Sequence, residues 1–147
     1  MDRFERFTFD IDAIFRYWHK IATDEMGKFG LKGAHGVYLV AMYRHPEGVT
    51  AAKLCELCGR DKADVSRMIN IMEEKGFVKK DGAAYRAALK LTDEGVALAE
   101  HVRERALAAA EIAGKGVSEE HLELFYNVLE TIAANLKKIN REGLQVQ

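Results

Sequence analysis

The chain has 147 residues, of which 48% are apolar and 31% charged, with a single proline, which is ordinary for a globular domain. No apolar run approaches the roughly 18 residues of a membrane helix, and the opening M-D-R-F-E-R-F lacks the apolar segment of a signal peptide. Two cysteines three residues apart do not make a secreted disulfide framework. We therefore expect a cytoplasmic protein without a membrane partner.

The net charge is −1, which excludes a protein that coats nucleic acid by charge alone. The charges are unevenly placed, because residues 59–91 hold eight basic and five acidic side chains. That segment carries +3 and the remainder −4. A positive segment attracts phosphates in a salt-dependent way, so this modest excess supports a nucleic-acid-facing surface there.

The first half of the chain opens with two helical patterns. Residues 7–26 repeat apolar side chains at helical spacing with a wide aromatic face, which predicts an amphipathic helix with more apolar surface than one small domain covers. Gly27 and Gly30 end it. Residues 34–44 predict a compact, mostly buried helix that ends before Pro46.

Residues 50–76 have the pattern of a helix-turn-helix. Thr50 is placed to cap the first helix and Asp61 the second, and Gly59 permits the tight turn between them. The predicted inward residues are Leu54, Cys55, Cys58, Val65, Met68, Ile69 and Met72. The second helix then presents outward, mostly from its N-terminal half, Lys62, Ala63, Asp64, Ser66, Arg67 and Asn70. Recognition helices touch base edges with this end.

A short hairpin follows at once. Gly76 ends the second helix, residues 77–80 predict a strand, Asp81-Gly82 a two-residue turn, and residues 85–91 the return strand. A helix-turn-helix followed by a hairpin is a winged helix, which favours binding to double-stranded DNA. The alternative is a winged helix that binds only protein.

Two further helices complete the predicted layout. Thr92 caps the first of them, which has a narrow face of small residues, and Ser118 starts the last. The apolar stripe of the last helix is Leu122, Phe125, Leu129, Ile132, Ala133, Leu136 and Ile139. Leftover apolar faces on terminal helices predict a homodimer, and two recognition helices about 34 Å apart would suit a palindromic site. The alternative is a monomer whose long helices wrap the core.

From residue 4 to residue 140 the chain resembles the MarR family of winged-helix transcriptional regulators. The resemblance rests on D-K-A-D-V-S-R-M-I-N-I-M-E-E-K-G-F-V at residues 61–78 and on L-T-D-E-G at residues 91–95. It implies a mainly α, single-domain fold over residues 1–147. Its winged-helix core would span about 34–91, and dimerisation helices about 4–30 and 92–140. It also implies a homodimer. Many members of the family are repressors that a small ligand or oxidation releases from DNA.

Carried over by position, the resemblance implies that four residues touch DNA: Thr50, Lys62, Ser66 and Arg67. Arg67 has the fork to reach a guanine edge or clamp a phosphate, while the alternative pairs it with Glu73 or Glu74. The wing departs from the family pattern, because Tyr85 stands where many members have arginine and Arg86 follows one position later. Lys79, Lys80 and Arg86 are therefore predicted to hold backbone phosphates.

In the family, effectors bind in a crevice between the dimerisation helices and the DNA-binding core. The candidates here by position are Trp18, His19, Tyr38, Met42 and Arg44. An aromatic crevice of this kind would suit a planar apolar or phenolic anion, with Arg44 or His19 supplying the charge. For Tyr38 and Met42 the alternative is ordinary core packing.

Cys55 and Cys58 form a C-x-x-C on a helix, which leaves a thiol-based redox or metal sensor as the second functional hypothesis. The alternative is that both pack in the core, as buried cysteine often does. Glu25, His35 and His101 could converge on zinc only if different helices brought them together. No phosphate-binding glycine loop or nucleophile motif occurs, so we expect neither an enzyme nor a cofactor.

Overall fold

The computed structural model describes residues 2–82 and 87–144. Within these residues the elements are α1 (Arg3–Gly27), α2 (His35–Tyr43), α3 (Ala51–Cys58), α4 (Lys62–Glu74), β1 (Val78–Asp81), β2 (Ala88–Leu91), α5 (Asp93–Ala113) and α6 (Glu119–Glu142). The order and type of every predicted element are confirmed, and the fold is a mainly α winged helix with long terminal helices.

The chain divides into two compact units, Met1–Leu107 and Ala108–Gln147. The first unit contains α1 to α4, the hairpin and most of α5, and the second contains the end of α5 and α6. The organisation of all 147 residues as one domain stays a prediction.

The core of the first unit lies between α2, the α3–α4 pair and the hairpin. Apolar side chains from each element meet there because the inward faces predicted for α3 and α4 turn towards α2. Leu39, Leu54 and Val65 are fully buried, each with 0% of its surface exposed. The rest of the buried apolar set is Met26, Leu31, Tyr38, Met42, Val49, Met68, Ile69, Met72, Val78, Leu89, Leu98 and Ala99.

Helix α1 begins four residues before the predicted start at Phe7, and the reason is local. The Asp2 carboxylate accepts from the Glu5 backbone N–H at 2.8 Å, while the Glu5 carboxylate accepts from the Asp2 N–H at 2.9 Å. This reciprocal capping box satisfies free amides of the first turn and fixes where the helix starts. The periodicity of the aromatic residues alone could not show it.

The hairpin differs from the prediction in its register. Val78 pairs with Leu91 and Asp81 with Ala88, so Asp81 is the last residue of β1 and not part of a two-residue turn. The described return strand begins at Ala88. Tyr85 lies outside the described residues.

The hairpin is attached to the rest of the first unit at both ends of β2. Val49 and Leu89 exchange two backbone hydrogen bonds, of 3.0 and 2.9 Å, which join the loop before α3 to β2. At the other end, the Thr92 hydroxyl accepts from the Gly95 N–H at 3.1 Å and donates to the Gly76 carbonyl at 2.5 Å. The predicted cap at Thr92 is thus confirmed, and it also fixes α5 to the end of α4.

Helix α6 belongs to the second unit and buries none of its side chains. Ser118 caps it as predicted, accepting from the His121 N–H at 3.3 Å. Phe125 and Leu136 of its apolar stripe remain 44% and 45% exposed. In the first unit α1 likewise leaves aromatic side chains exposed, including Phe4 at 74% and Phe15 at 67%.

Candidate nucleic-acid interface

The front of α4 is built by the turn that precedes it. Gly59 closes α3 in the left-handed conformation, with φ of 60°, and its N–H donates to the Cys55 carbonyl. The Asp61 carboxylate then accepts from the Asp64 N–H at 2.8 Å and starts α4. Both features were predicted, and together they fix the angle at which α4 leaves the core.

The outward face of α4 is as predicted in all but one position. Five of the candidate DNA-contacting residues are exposed and none is covered by another described part of the chain: Lys62, Ala63, Ser66, Arg67 and Asn70. The opposite face holds the four predicted core residues, Val65, Met68, Ile69 and Met72, all buried. The helix therefore offers a polar ridge of side chains long enough to enter a groove.

Asp64 is the exception, since it was expected to point outward with the others. Its side chain is only 34% exposed. One carboxylate oxygen lies 3.4 Å from the hydroxyl of buried Tyr38, and the other accepts from Arg67 Nη2 at 3.3 Å. The partner of Arg67 is thus Asp64, and not Glu73 or Glu74 as the alternative for Arg67 supposed.

Thr50 stands at the start of α3 with an exposed side chain. Its hydroxyl oxygen accepts from the Lys53 N–H at 3.2 Å, which confirms the predicted cap. The hydroxyl proton stays available to a phosphate oxygen, so capping and DNA contact are compatible at this position.

The lysines of the wing are not equivalent. Lys80 Nζ lies 2.7 Å from a carboxylate oxygen of Glu73, and Lys90 Nζ lies 3.0 Å from Asp81. The Lys90 hydrogen bond and charge lower the pKa of Asp81, so that carboxylate stays ionised. Lys79 is exposed and forms no ion pair with any described residue. The predicted contact at Arg86 lies outside the described residues.

The two cysteines are half-buried and unbonded. Both pack against the apolar core of the first unit, as the packing alternative predicted. Burial raises the pKa of the Cys58 thiol, which disfavours the thiolate that oxidation and metal binding require. The observed surroundings suit an inert packing role better than a sensor.

The five effector-pocket candidates do not share one environment. Tyr38 and Met42 are 1% and 2% exposed and belong to the core, which their alternative predicted. Burial is the main cause that raises the pKa of Tyr38 to about 12. Arg44 and His19 are exposed, and Trp18 is 45% exposed. His19 stacks on Phe15 with ring centroids 5.7 Å apart, a contact that the sequence analysis missed.

The three residues considered as zinc ligands, Glu25, His35 and His101, make other contacts. Glu25 accepts from Lys28 Nζ at 2.8 Å and from Arg105 Nε at 3.3 Å, with His101 Nε2 at 3.5 Å from its other oxygen. The Lys28 hydrogen bond is the largest cause that lowers the pKa of Glu25. His35 is instead bound to the backbone of Lys32. In the ranges 2–82 and 87–144, no three potential ligands converge on a metal position.

The comparisons with known proteins agree with this geometry. A model of the MarR family matches residues 29–86, which include α2, the α3–α4 pair and the first strand of the wing. Over these residues the chain is similar to the MarR family. The resemblance noted in the sequence is thereby confirmed.

Solved structures show that the MarR fold extends over nearly the whole chain. A MarR regulator from Methanosarcina mazei Go1 has a TM-score of 0.82 at 22% identity, over 95% of this chain and 94% of that one. A MarR family regulator from Listeria monocytogenes, complexed with a 26mer DNA, has a TM-score of 0.82 at 21% identity. The match covers 95% of this chain and 97% of that one. CouR from Rhodococcus jostii RHA1, bound to p-coumaroyl-CoA, has a TM-score of 0.75 at 18% identity, over 96% of this chain and 95% of that one.

Among the described helices of the protein, none has the length and apolar character to cross a membrane.

Proposed function

We propose that this protein is a transcriptional repressor that binds a palindromic DNA operator as a homodimer and is released by a small aromatic effector. The observation that carries the proposal is the front of α4, which is capped, fixed against the core and uncovered by the described chain. A recognition helix must present this end to enter a major groove. The Listeria monocytogenes regulator of the same fold was crystallised with DNA.

The contacts at DNA follow from the chemistry of the exposed side chains. Arg67 is suited to a guanine edge and Asn70 to an adenine, while Ala63 fits a thymine methyl group. Phosphate contacts would come from hydroxyl and ammonium groups on both sides of α4 and on the wing: Thr50, Lys62, Ser66, Lys79, Lys80 and Arg86. Lys80 must first leave Glu73, so we expect it to contribute less than Lys79.

Dimerisation is supported by the apolar surface that a single chain leaves open. The stripe of α6 alternates spacings of three and four residues, as in a helix that packs along a partner helix. Leu136 and Ile139 of this stripe remain 45% and 37% exposed. A second copy would bury them, and a palindromic operator requires two α4 helices about one DNA turn apart.

An aromatic effector is supported by the surface of α1, where Trp18 is half-exposed beside the stacked rings of Phe15 and His19. The structural neighbour CouR binds p-coumaroyl-CoA, an aromatic acyl thioester. We expect Trp18, His19 and Arg44 to meet the ligand directly. Tyr38 and Met42 would respond from the core beneath.

The test of DNA binding is a gel-shift titration with double-stranded DNA from upstream of the protein's own gene. We expect a single retarded species with two chains per site, and a shortened probe should reveal a palindrome. The Arg67→Ala variant should lose most of the affinity for DNA. The control is Arg141→Ala, which removes an arginine near the C-terminal end of α6 and should keep that affinity. Equal affinity of both variants would contradict a DNA-reading role for α4.

The test of release adds candidate ligands to that complex. Aromatic carboxylates should stabilise the free protein in a thermal-shift assay and dissociate the DNA. They should also change the fluorescence of Trp18, the sole tryptophan of the chain. Diamide or Zn²⁺ should leave the affinity unchanged, and a large loss with either would favour the thiol or metal sensor at Cys55 and Cys58 instead.

A further inference from the structure

Asp64 places a negative charge on the surface that should approach DNA phosphates. It lies in the first turn of α4, between the exposed residues Ala63 and Arg67. The cap of α4 is supplied by Asp61, so Asp64 is not needed to satisfy the first amides. A carboxylate in the first turn of α4 stabilises the helix dipole, but it opposes non-specific attraction to the duplex.

The contacts of Asp64 form a continuous line from the core to the DNA-facing surface. Tyr38, 1% exposed in α2, places its hydroxyl 3.4 Å from Asp64 Oδ2. Asp64 Oδ1 accepts from Arg67 Nη2 at 3.3 Å. The buried phenol cannot move without disturbing the core, so it fixes the orientation of the carboxylate, and the carboxylate in turn holds the guanidinium.

The ion pair between Arg67 and Asp64 adds little to folding stability. The side chains of Arg67 and Asp64 are 69% and 34% exposed, and ion pairs between exposed groups contribute little to stability. A free arginine at position 67 would have many rotamers and could reach a phosphate as easily as a base. Holding its planar fork in advance reduces the rotamer entropy lost when it binds a guanine edge.

We propose that Asp64 is a specificity-determining positioning residue, which Tyr38 anchors and which holds Arg67 for a base edge instead of a phosphate. The inference rests on the proposed DNA binding. Asp64 acts by restricting the guanidinium of Arg67. This restriction increases the difference in affinity between an operator and other DNA, whereas the negative charge of Asp64 weakens binding to both.

The experiment starts from a library of double-stranded DNA with 20 randomised base pairs. The wild-type protein selects its preferred sequence, and affinities are then measured for that duplex and for the unselected library at one salt concentration. The variants are Asp64→Asn, Tyr38→Phe and, as a matched control, Glu73→Gln. Glu73 also lies on α4 and pairs with a basic residue, Lys80, so both acid-to-amide variants remove one negative charge from the same helix.

We expect Asp64→Asn to lower the ratio of selected to unselected affinity by about tenfold. Glu73→Gln should raise both affinities together and leave the ratio unchanged. Tyr38→Phe keeps the charge constant and should lower the ratio as well. Asp64→Asn should not lower the ratio further when Arg67 is already alanine, because the two residues act on the ratio as a unit.

Three outcomes would overturn the inference. The first is an equal ratio of selected to unselected affinity for Asp64→Asn and Glu73→Gln. The second is an unchanged ratio for Tyr38→Phe when its thermal unfolding matches that of the wild type. The third is that the effects of the Asp64 and Arg67 substitutions on the ratio add. A failure of the proposed function is distinguishable from these, because a wild-type protein that enriches no sequence from the library would remove DNA recognition itself.

Discussion

His35, at the start of α2, is 1% exposed, so a titratable imidazole lies inside the core. Its Nδ1 accepts from the Lys32 N–H at 2.7 Å, while Nε2 is buried without a partner. Desolvation is the largest cause that lowers the pKa of this imidazole below its ordinary value. The folded protein therefore holds His35 neutral.

The lowered pKa of His35 makes the stability of the fold depend on pH. The unfolded chain takes up a proton near pH 6.5, whereas the folded chain does so only at lower pH. The stabilising contribution is thus complete above about pH 6.5 and is lost as the pH falls through the window below it. Urea unfolding of the wild type from pH 7.5 to pH 5 should show this decline.

The variant that isolates the effect is His35→Asn, since the amide oxygen replaces the Nδ1 acceptor and does not titrate. We expect it to be less stable than wild type at pH 7.5, because the smaller side chain leaves a cavity, but to lose less stability towards pH 5. His121→Asn, at an exposed histidine of α6, should keep the wild-type decline. A decline of wild-type size in His35→Asn would contradict the assignment.

At the scale of elements, the start of α5 is held against the segment that enters the wing. A Cβ built on Gly95 would lie 2.0 Å from the Phe77 carbonyl oxygen, a distance that no real contact allows. The close approach is what lets the Thr92 N–H donate to the same carbonyl at 3.0 Å. Glycine at position 95 therefore determines how closely α5 packs on the hairpin.

Gly95→Ala should consequently destabilise the protein, although alanine is the better helix former by up to about 1 kcal/mol. The carbonyl belongs to backbone and cannot turn away without moving β1. Gly27→Ala is the matched control, because a Cβ at that position in α1 meets nothing within 4 Å. Thermal unfolding should show a lower midpoint for Gly95→Ala and an equal or higher one for Gly27→Ala. The reverse order would be inconsistent with this packing.

The cap of α4 gives a second prediction at this scale. Asp61→Ala removes the acceptor of the Asp64 N–H and should cost about 1 kcal/mol of unfolding free energy. Asp61→Asn keeps an oxygen in the same place and should be nearly neutral. Chemical denaturation of the two variants makes the comparison. A loss as large in Asp61→Asn would mean that the charge of Asp61, and not its hydrogen bond, stabilises α4.

The elements differ in how far the sequence predicts them. Caps and turns such as Thr50, Gly59 and Asp61 act over three or four residues, so their residue types alone identified them. The register of the hairpin depends on Val49, about 40 positions before its partner Leu89, and no local signal reports that pairing. The Tyr38–Asp64 contact was missed for the same reason, since 26 residues separate its partners. The exposed candidates on α4 were found because helical spacing fixes which positions share a face.

For the whole molecule, the main question is what covers the apolar surface of the terminal helices. Large apolar side chains stay exposed on α1 and on α6, well beyond the scattered residues of an ordinary monomer surface. This distribution follows from sequence periodicity, which places apolar residues on one stripe whether or not the same chain covers it. A second copy of the chain is the partner that the proposed palindromic operator requires.

The homodimer is testable by changing one residue in the α6 stripe and one outside it. Leu136, 45% exposed, lies in the stripe, whereas Leu124, 58% exposed, lies two positions after Leu122 and so on a different face. Leu136→Glu would bury a charge at the interface and should shift the protein towards monomer in sedimentation velocity, with loss of operator affinity. Leu124→Glu introduces the same charge at a more exposed position and should remain a dimer that binds DNA. If Leu136→Glu stays dimeric while both variants keep the wild-type thermal midpoint, the stripe of α6 is not the dimer interface.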